Sequence, residues 1–304
     1  MILNQIASGG GAVTLDGDAA VGDVLAGKTF YNTDPDTKLT GTLSTTPVTP
    51  LVRIDHSGGV TVTADATAHT KGAWAEVIAS TTADADMLVL NVYGVGTSST
   101  NTATLIDLAV GAAGSEAPFL SNLAVGAASG PSALLNFEVP LPVAVAAGSR
   151  ISARIQSVVA DGKTATVRVA TFSGGTITPG ALTVMGASTS TSDAVNLGTG
   201  WTEISASTAA TYRHLIVVPS AGAAGINSNG EGDVTLGSGA SGAEATIGTI
   251  SVATNTTENL GAPNGGTSWA VYDIFPGVTA GTRLVLKRAA TLSAEVDGAI
   301  IGVT

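Results

Sequence analysis

Apolar and polar residues alternate in short runs along most of this chain. Val60-Thr61-Val62-Thr63, Ile151-Ser152-Ala153-Arg154-Ile155-Gln156 and Thr164-Ala165-Thr166-Val167-Arg168-Val169 each follow a period of two. That period sends successive side chains to opposite faces of a strand. Met87-Leu88-Val89-Leu90-Asn91-Val92-Tyr93 alternates more loosely. Leu105-Ile106-Asp107-Leu108-Ala109-Val110 ends at Gly111-Ala112-Ala113-Gly114, and Phe137-Glu138-Val139 precedes Pro140 and Pro142. About seven or eight such strands, with turn residues between them, predict an antiparallel β-sandwich over residues 51–176.

The same landmarks then return in order. Gly72-Ala73-Trp74-Ala75-Glu76 is echoed by Gly200-Trp201-Thr202-Glu203, an offset of 127 (201 less 74). Gly111-Ala112-Ala113-Gly114-Ser115-Glu116 matches Gly239-Ala240-Ser241-Gly242-Ala243-Glu244, and Ala147-Gly148-Ser149-Arg150-Ile151 matches Ala280-Gly281-Thr282-Arg283-Leu284. Phe137-Glu138-Val139 matches Tyr272-Asp273-Ile274, and Val60-Thr61-Val62-Thr63 before Trp74 matches Leu182-Thr183-Val184 before Trp201. The offset drifts only between these landmarks, which places the length changes in loops. A repeat of this size is a duplicated domain. The expected fold is therefore all-β: two tandem homologous antiparallel β-sandwich domains, jelly-roll-like, at 51–176 and 177–304, after a small N-terminal segment at 1–44 and a Pro/Thr linker at 45–50.

Composition supports strands over helices. Charged residues make up 12% of the chain and aromatics 4%, with 39 Gly, too few Glu, Lys and Arg for long amphipathic helices. A net charge of −11 without a basic stripe argues against nucleic acid as a partner. No run approaches the length of a membrane span. Met1-Ile2-Leu3-Asn4-Gln5-Ile6 lacks the basic start and apolar core of a signal peptide. Zero Cys removes disulfides, thiolate metal sites and thiol nucleophiles.

No catalytic constellation is legible. His56, His69 and His214 show no metal-ligand spacing, and His214 stands where the first copy has Met87, which favours packing or surface. Asp16/Asp18, Asp34/Asp36 and Asp84/Asp86 are carboxylate pairs without an EF-hand frame, so solvated turn residues are expected over calcium ligands. Neither a G-x-S-x-G elbow nor a P-loop occurs, and Asn229-Gly230 and Asn264-Gly265 read as hairpin tips. No enzyme activity, cofactor or metal is expected. Glu116 and Glu244, like Glu76 and Glu203, are equivalent and are expected to accept turn N–H groups or to pair with Arg150 and Arg283. Trp74 and Trp201 are the candidate ligand or interface residues: each either packs in a core or subunit interface or offers its ring to a sugar.

The N-terminal segment carries the functional hint. Val24-Leu25-Ala26-Gly27-Lys28-Thr29-Phe30-Tyr31, the turn Asp34-Pro35-Asp36, and Lys38-Leu39-Thr40-Gly41-Thr42-Leu43 predict two short strands about a turn. This unit of about 20 residues resembles one found in structural proteins of tailed-bacteriophage virions, tail proteins especially. The stretch Val145-Ala146-Ala147-Gly148-Ser149-Arg150-Ile151 through Gln156 is similar to a turn in β-sandwich domains of phage tail fibres; its second copy departs, with Lys287-Arg288-Ala289 in place of Arg154-Ile155-Gln156. The resemblance implies a virion structural protein, of tail-fibre, tail-tip or other appendage type, that docks through its N-terminus. Copies of itself, as a trimer for instance, and other virion proteins would be its partners, and the virion its location. Two alternatives stand beside it: a head decoration, head-fibre or collar protein, and a pair of modules binding host surface glycan.

Overall fold

The computed structural model describes residues 20, 23–24, 26–32, 36–42, 50–96, 103–127, 136–160, 162–175, 178–188, 193–221, 230–256, 266–270, 274–291 and 296–304. Asp16, Asp18, Leu25, Asp34, residues 45–49, Asn229, Asn264-Gly265 and Tyr272-Asp273 lie outside them. The chain divides into two compact units, Met1–Thr49 and Pro50–Thr304.

In the smaller unit, β1 (Thr29–Phe30) pairs antiparallel with β2 (Leu39–Thr40), Phe30 opposite Leu39. The second strand is shorter than the Lys38–Leu43 expected from sequence. Gly27, at φ 78°, donates its N–H to the Gly41 carbonyl at 3.2 Å, and Gly41 donates to Lys28 at 2.8 Å.

The larger unit is entirely strands and turns among its described residues. The first sandwich holds β3 (Val52–His56), β4 (Val60–Thr63), β5 (Ala75–Ile78), β6 (Met87–Gly96), β7 (Ala103–Val110), β8 (Ala117–Ala127), β9 (Asn136–Leu141), β10 (Ile151–Ser157) and β11 (Thr164–Ser173). The second holds β12 (Leu182–Met185), β13 (Ala187–Ser188), β14 (Asp193–Asn196), β15 (Thr202–Ser205), β16 (Tyr212–Ala221) and β17 (Gly230–Ser238). It continues through β18 (Ala245–Thr256), β19 (Gly266–Ala270), β20 (Ile274–Val278), β21 (Leu284–Arg288) and β22 (Val296–Val303).

Sheet order makes the duplication explicit. In the first sandwich β5-β10-β7-β8 lies against β3-β11-β6-β9; in the second β15-β21-β17-β18 lies against β12-β22-β16-β20, with β14 also on β22. Numbering the eight shared strands in chain order, both copies read 2-7-4-5 against 1-8-3-6, a jelly roll in each case. The registers repeat as well. Ile151 faces Val110 and Ile78, and Leu284 faces Ser238 and Ser205.

Two sequence matches need correction. Val60–Thr63 corresponds to β14, because both pair with the early part of the last strand, whereas Leu182–Met185 corresponds to β3. Both candidates are short apolar–Thr alternations, and only the pairing partner separates them. The Phe137-Glu138-Val139 match is one residue out: Leu88 faces Leu141 and Leu215 faces Phe275, so Leu141 corresponds to Phe275 and Pro142 to Pro276.

The cores follow the alternation. Leu88, Leu90, Ile106, Leu108, Leu123, Ile151, Ile155 and Val167 fill the first; Leu215, Val217, Val234, Leu236, Ile250, Leu284 and Ile300 fill the second. Ile216, Val218, Ala299, Ile301 and Val303, on the other face of β16 and β22, belong to the first cluster. The second sandwich therefore lays a sheet face against the first, where β8 meets β12, β16 and β22. All eight residues of β22 are buried, as its near-continuous apolar run requires. Its counterpart β11 alternates, with Arg168 exposed.

Candidate functional site

Four structural devices involve the repeated landmark residues, and three of them recur in both copies. The first is an arginine clamp. Arg150 leaves the Gly148 turn at the start of β10 and donates from Nε to Glu76 Oε2 at 2.8 Å. From Nη1 it donates to Glu116 Oε1 at 3.0 Å and to the Gly111 carbonyl at 3.3 Å. Arg283 repeats this with Glu203 at 2.7 Å, Glu244 at 3.0 Å and the Gly239 carbonyl at 3.1 Å. The other oxygen of Glu116 accepts the Gly114 N–H, and that of Glu244 the Gly242 N–H, each at 3.0 Å. One guanidinium thus ties strand 2, strand 7 and the 4–5 turn together.

The electrostatics agree. Burial pushes the Glu116 carboxyl up, but backbone N–H groups and Arg150 outweigh it and hold the group below the ordinary carboxylate range. Backbone hydrogen bonds, then Arg283, do the same to Glu244, whose burial opposes them less. Each arginine is held charged more firmly than usual, by Glu76 foremost for Arg150 and by Glu203 foremost for Arg283. Hydrogen bonding to the charged form lowers an acid and raises a base.

The second device is a threonine that closes the turn before the arginine. Thr81 Oγ1 donates to the Ala146 carbonyl at 2.7 Å and accepts the Ser149 N–H at 3.0 Å. Thr208 does likewise with the Thr279 carbonyl at 3.0 Å and the Thr282 N–H at 3.1 Å.

The third is the tryptophan. Trp74 and Trp201 are half-buried, and each carries a cation on its ring: Arg154 Cζ lies 4.2 Å from the Trp74 centroid and Lys287 Nζ 4.2 Å from that of Trp201. The Trp201 ring also lies over Gly237, where a Cβ would come within 2.7 Å of it. One face of each indole is thus already in use by its own chain.

The fourth device occurs once. Asp107, 2% exposed in its side chain, projects from the outer face of β7. Its Oδ1 accepts Lys71 Nζ at 2.6 Å and the Asn122 N–H at 2.8 Å, and its Oδ2 accepts Arg154 Nε at 2.9 Å. Asn122 Oδ1 accepts Lys71 as well, at 2.6 Å. Asn122 sits at φ 61°, and the β7–β8 register is irregular from Ile106 to Leu108. In the second sandwich Thr235 and Thr249 face each other in regular register, their hydroxyls 3.4 Å apart. Lys71 and Asn122 escaped the sequence reading; the legible signal was a lone Asp inside the apolar run of β7.

The remaining candidates serve local structure. Asp84 accepts the Ala147 N–H at 2.7 Å and Asp86 the Gly174 N–H at 3.0 Å. His56 lies on β3, His69 is at φ 57°, and His214 pairs with Val303 on β16. Among the described residues no three His, Cys, Asp or Glu side chains gather as a metal cluster, and no helix is long and apolar enough to cross a membrane.

Fold and sites together define a tandem jelly-roll protein whose repeated polar groups fasten its own turns. Comparison with known proteins adds little to that. No protein family and no curated protein matches the chain. Among solved structures it is similar to the crystal structure of the STIV MCP, at 11% identity and a TM-score of 0.31, over 83% of this chain and 96% of that one. It is also similar to a chain from the atomic structure of Sulfolobus Turreted Icosahedral Virus, at 10% identity and a TM-score of 0.31, over 84% of this chain and 90% of that one. Scores of this size are too low for anything about this chain to be read from either structure.

Proposed function

We propose that the chain is a non-enzymatic structural protein of a virus particle. The observation that carries this reading is the way two jelly rolls merge into one compact unit, with β16 and β22 buried on both faces. Such a compact unit suits a building block, and jelly rolls serve in this capacity in viral shells, an analogy at the level of fold. The recurring Arg, Glu and Thr side chains hold turns, which is a structural use of the repeated polar groups. For the place in the particle, the resemblance of residues 24–43 to a tailed-phage virion unit favours an appendage: a tail fibre or tail tip docked through the N-terminal segment. A head-surface role, as a decoration or collar protein, is the second reading. It is favoured by the merging of the two sandwiches, which suits lateral packing better than extension.

Mass spectrometry and antibody labelling of purified particles test both. Tens of copies at the tail support the appendage, hundreds over the shell support decoration, and absence from the particle sinks the proposal. Binding of host surface glycan lost on Trp74→Ala or Trp201→Ala would instead favour a glycan-binding pair; the cation on each ring weighs against that outcome.

A further inference from the structure

A sandwich of this kind folds without the Lys71–Asp107–Asn122–Arg154 cluster. The second copy has Thr235, Thr249 and Lys287 at the register positions of Asp107, Asn122 and Arg154, and its ladder there is more regular. The first copy tolerates a bulge and a left-handed Asn122 to bring its four side chains together. Bulges and non-glycine residues at positive φ concentrate where a side chain must be aimed. Here the side chain so aimed is a carboxamide, and it meets an amine.

The arrangement is that of a nucleophile, its base and an electrophile. Lys71 Nζ lies 2.6 Å from Asp107 Oδ1 and 2.6 Å from Asn122 Oδ1. An amine turns nucleophilic once a carboxylate within hydrogen-bond reach has taken its proton. Asp107 is placed to do so. Its side chain is 2% exposed, which keeps the transferred proton from bulk water. Its other oxygen accepts Arg154 Nε at 2.9 Å, and Arg154 is steadied in turn on the Trp74 ring. Arg154 is thus a positioning residue for the base.

The electrophile is held by the same carboxylate. Asp107 Oδ1 accepts the Asn122 N–H at 2.8 Å, which locks the left-handed backbone from which the carboxamide reaches Lys71. Attack on a carbonyl carbon needs an approach of about 3–3.5 Å. An amine already hydrogen-bonded to the oxygen of that carboxamide has little distance left to cover. A plain ion pair would account for Lys71 and Asp107; the distorted backbone that delivers Asn122 to the same amine is what the condensation explains.

We propose that Lys71 and Asn122 condense into an isopeptide bond, with Asp107 as the proton carrier. Asp107 takes a proton from the Lys71 ammonium, and the freed lone pair of Nζ forms a bond to Asn122 Cγ. Asp107 then hands its proton to Nδ2 and takes a second from Nζ. The Cγ–Nδ2 bond breaks with its electron pair on nitrogen, and ammonia leaves as ammonium with the proton that Asp107 last held. The carboxylate is restored, and the balance calls for no oxidant or co-reactant. This is a single self-modification, not turnover of a substrate. The bond ties the segment before β5 to β8, the sheet-edge strand that meets β12, β16 and β22. In a chain with no Cys it does the work of a disulfide.

Intact-mass spectrometry of the purified full chain, denatured, tests it. The wild type should weigh less than its sequence by one ammonia, about 17 Da. A digest should yield one branched peptide joining Lys71 to Asn122. Lys71→Arg keeps a cation beside Asp107 without the amine and should restore the full mass. Asn122→Thr and Asp107→Thr install the second copy's own residues, and each should also leave the mass full. A wild type of full sequence mass overturns the proposal, and that measurement needs no variant to fold. A loss of the same size that persists in Lys71→Arg overturns it too, by assigning the loss to a succinimide at another Asn. A loss of one water, about 18 Da, puts the bond on Asp107 and overturns the assignment to Asn122. A bond that still forms in Asp107→Thr overturns the role of Asp107. None of these outcomes depends on whether the chain occurs in particles, so the virion reading and this bond fail separately.

Discussion

The two sandwiches share a frame and differ in their faces, and the difference sets how they join. On the outer face of the 2-7-4-5 sheet the first copy presents Leu105 opposite Ala124, buried beneath Ala187. The second presents Asp233 opposite Ser251 at the same rung, both exposed. On the 1-8-3-6 sheet the contrast is reversed. Exposed Arg168 and half-buried Ala170 of β11 correspond to Ala299 and Ile301 of β22, both fully buried. Each copy thus has one of its two faces made apolar, and the apolar faces belong to the contact between the copies. A contact between unlike faces would otherwise repeat along an open array. Polar residues on both remaining faces end it at two.

Exchanging register-equivalent residues breaks this asymmetry most directly. Ala299→Arg puts a charge into the contact between sandwiches and should cost about 3–5 kcal/mol or prevent folding. The reciprocal Arg168→Ala removes only an exposed side chain, whose guanidinium lies 5.1 Å from the Tyr93 ring, and should cost under about 1 kcal/mol. Urea denaturation of the two variants measures the ratio. Equal losses would mean that the β22 face is not a core surface.

Sequence alone was enough for this frame because the frame is local. Trp74 and Trp201, the AG[ST]R turns, and Glu116 with Glu244 sit at short fixed distances from Gly turns. The pairing of each Glu with its Arg follows from their recurring together. Which faces meet was hidden, since Ile216, Val218 and Ile301 read as ordinary strand residues until their partners are known. β22 gave a partial signal, because Gly-Ala-Ile-Ile-Gly-Val does not alternate and so fits a strand buried on both faces. The Asp107 cluster was hidden for another reason. Lys71, Asp107, Asn122 and Arg154 come from four separate segments, and no spacing links them.

The clamps sharpen the comparison from the other side, where the copies should behave alike. Arg150→Ala and Arg283→Ala should each lower the thermal midpoint clearly, by similar amounts, since both lose two carboxylates and a carbonyl. The same symmetry governs acid. Glu116 and Glu244 are held below the usual carboxylate range, so their contribution is complete above the ordinary value of 4.5. It is lost as pH falls below that, through their depressed folded values. Glu116→Gln and Glu244→Gln should each flatten the acid limb of a stability–pH profile, and a change in only one copy would contradict equivalence.

A smaller, still symmetric effect is expected at the turns beneath the clamps. Gly111 and Gly239 share a φ of 125°. A Cβ would lie 2.6 Å from the Ser115 carbonyl oxygen in one and 2.7 Å from that of Ala243 in the other. Alanine at either should cost about 1–3 kcal/mol through backbone strain, read from chemical denaturation. Two unequal values would show that the turns carry different loads.

The finest test of divergence lies at the tryptophans, where the least effect of all is expected at Lys287. Lys287 and Arg154 occupy one structural position, each 4.2 Å from an indole centroid, yet only Arg154 also holds a buried carboxylate. Arg154→Gln withdraws one of the two cations from Asp107 and should cost about 1–3 kcal/mol. Lys287→Gln removes a cation–π contact alone and should cost about 0.5–1 kcal/mol. Lysine is the informative replacement at 154, because it keeps the charge over Trp74 but loses the Nε–H that reaches Asp107 while the guanidinium stacks. If Arg154→Lys restores most of the stability, charge over the ring was the main contribution and the two copies differ little there. If it behaves like Arg154→Gln, the first sandwich has turned a shared tryptophan–cation pair into a guanidinium anchored on Asp107.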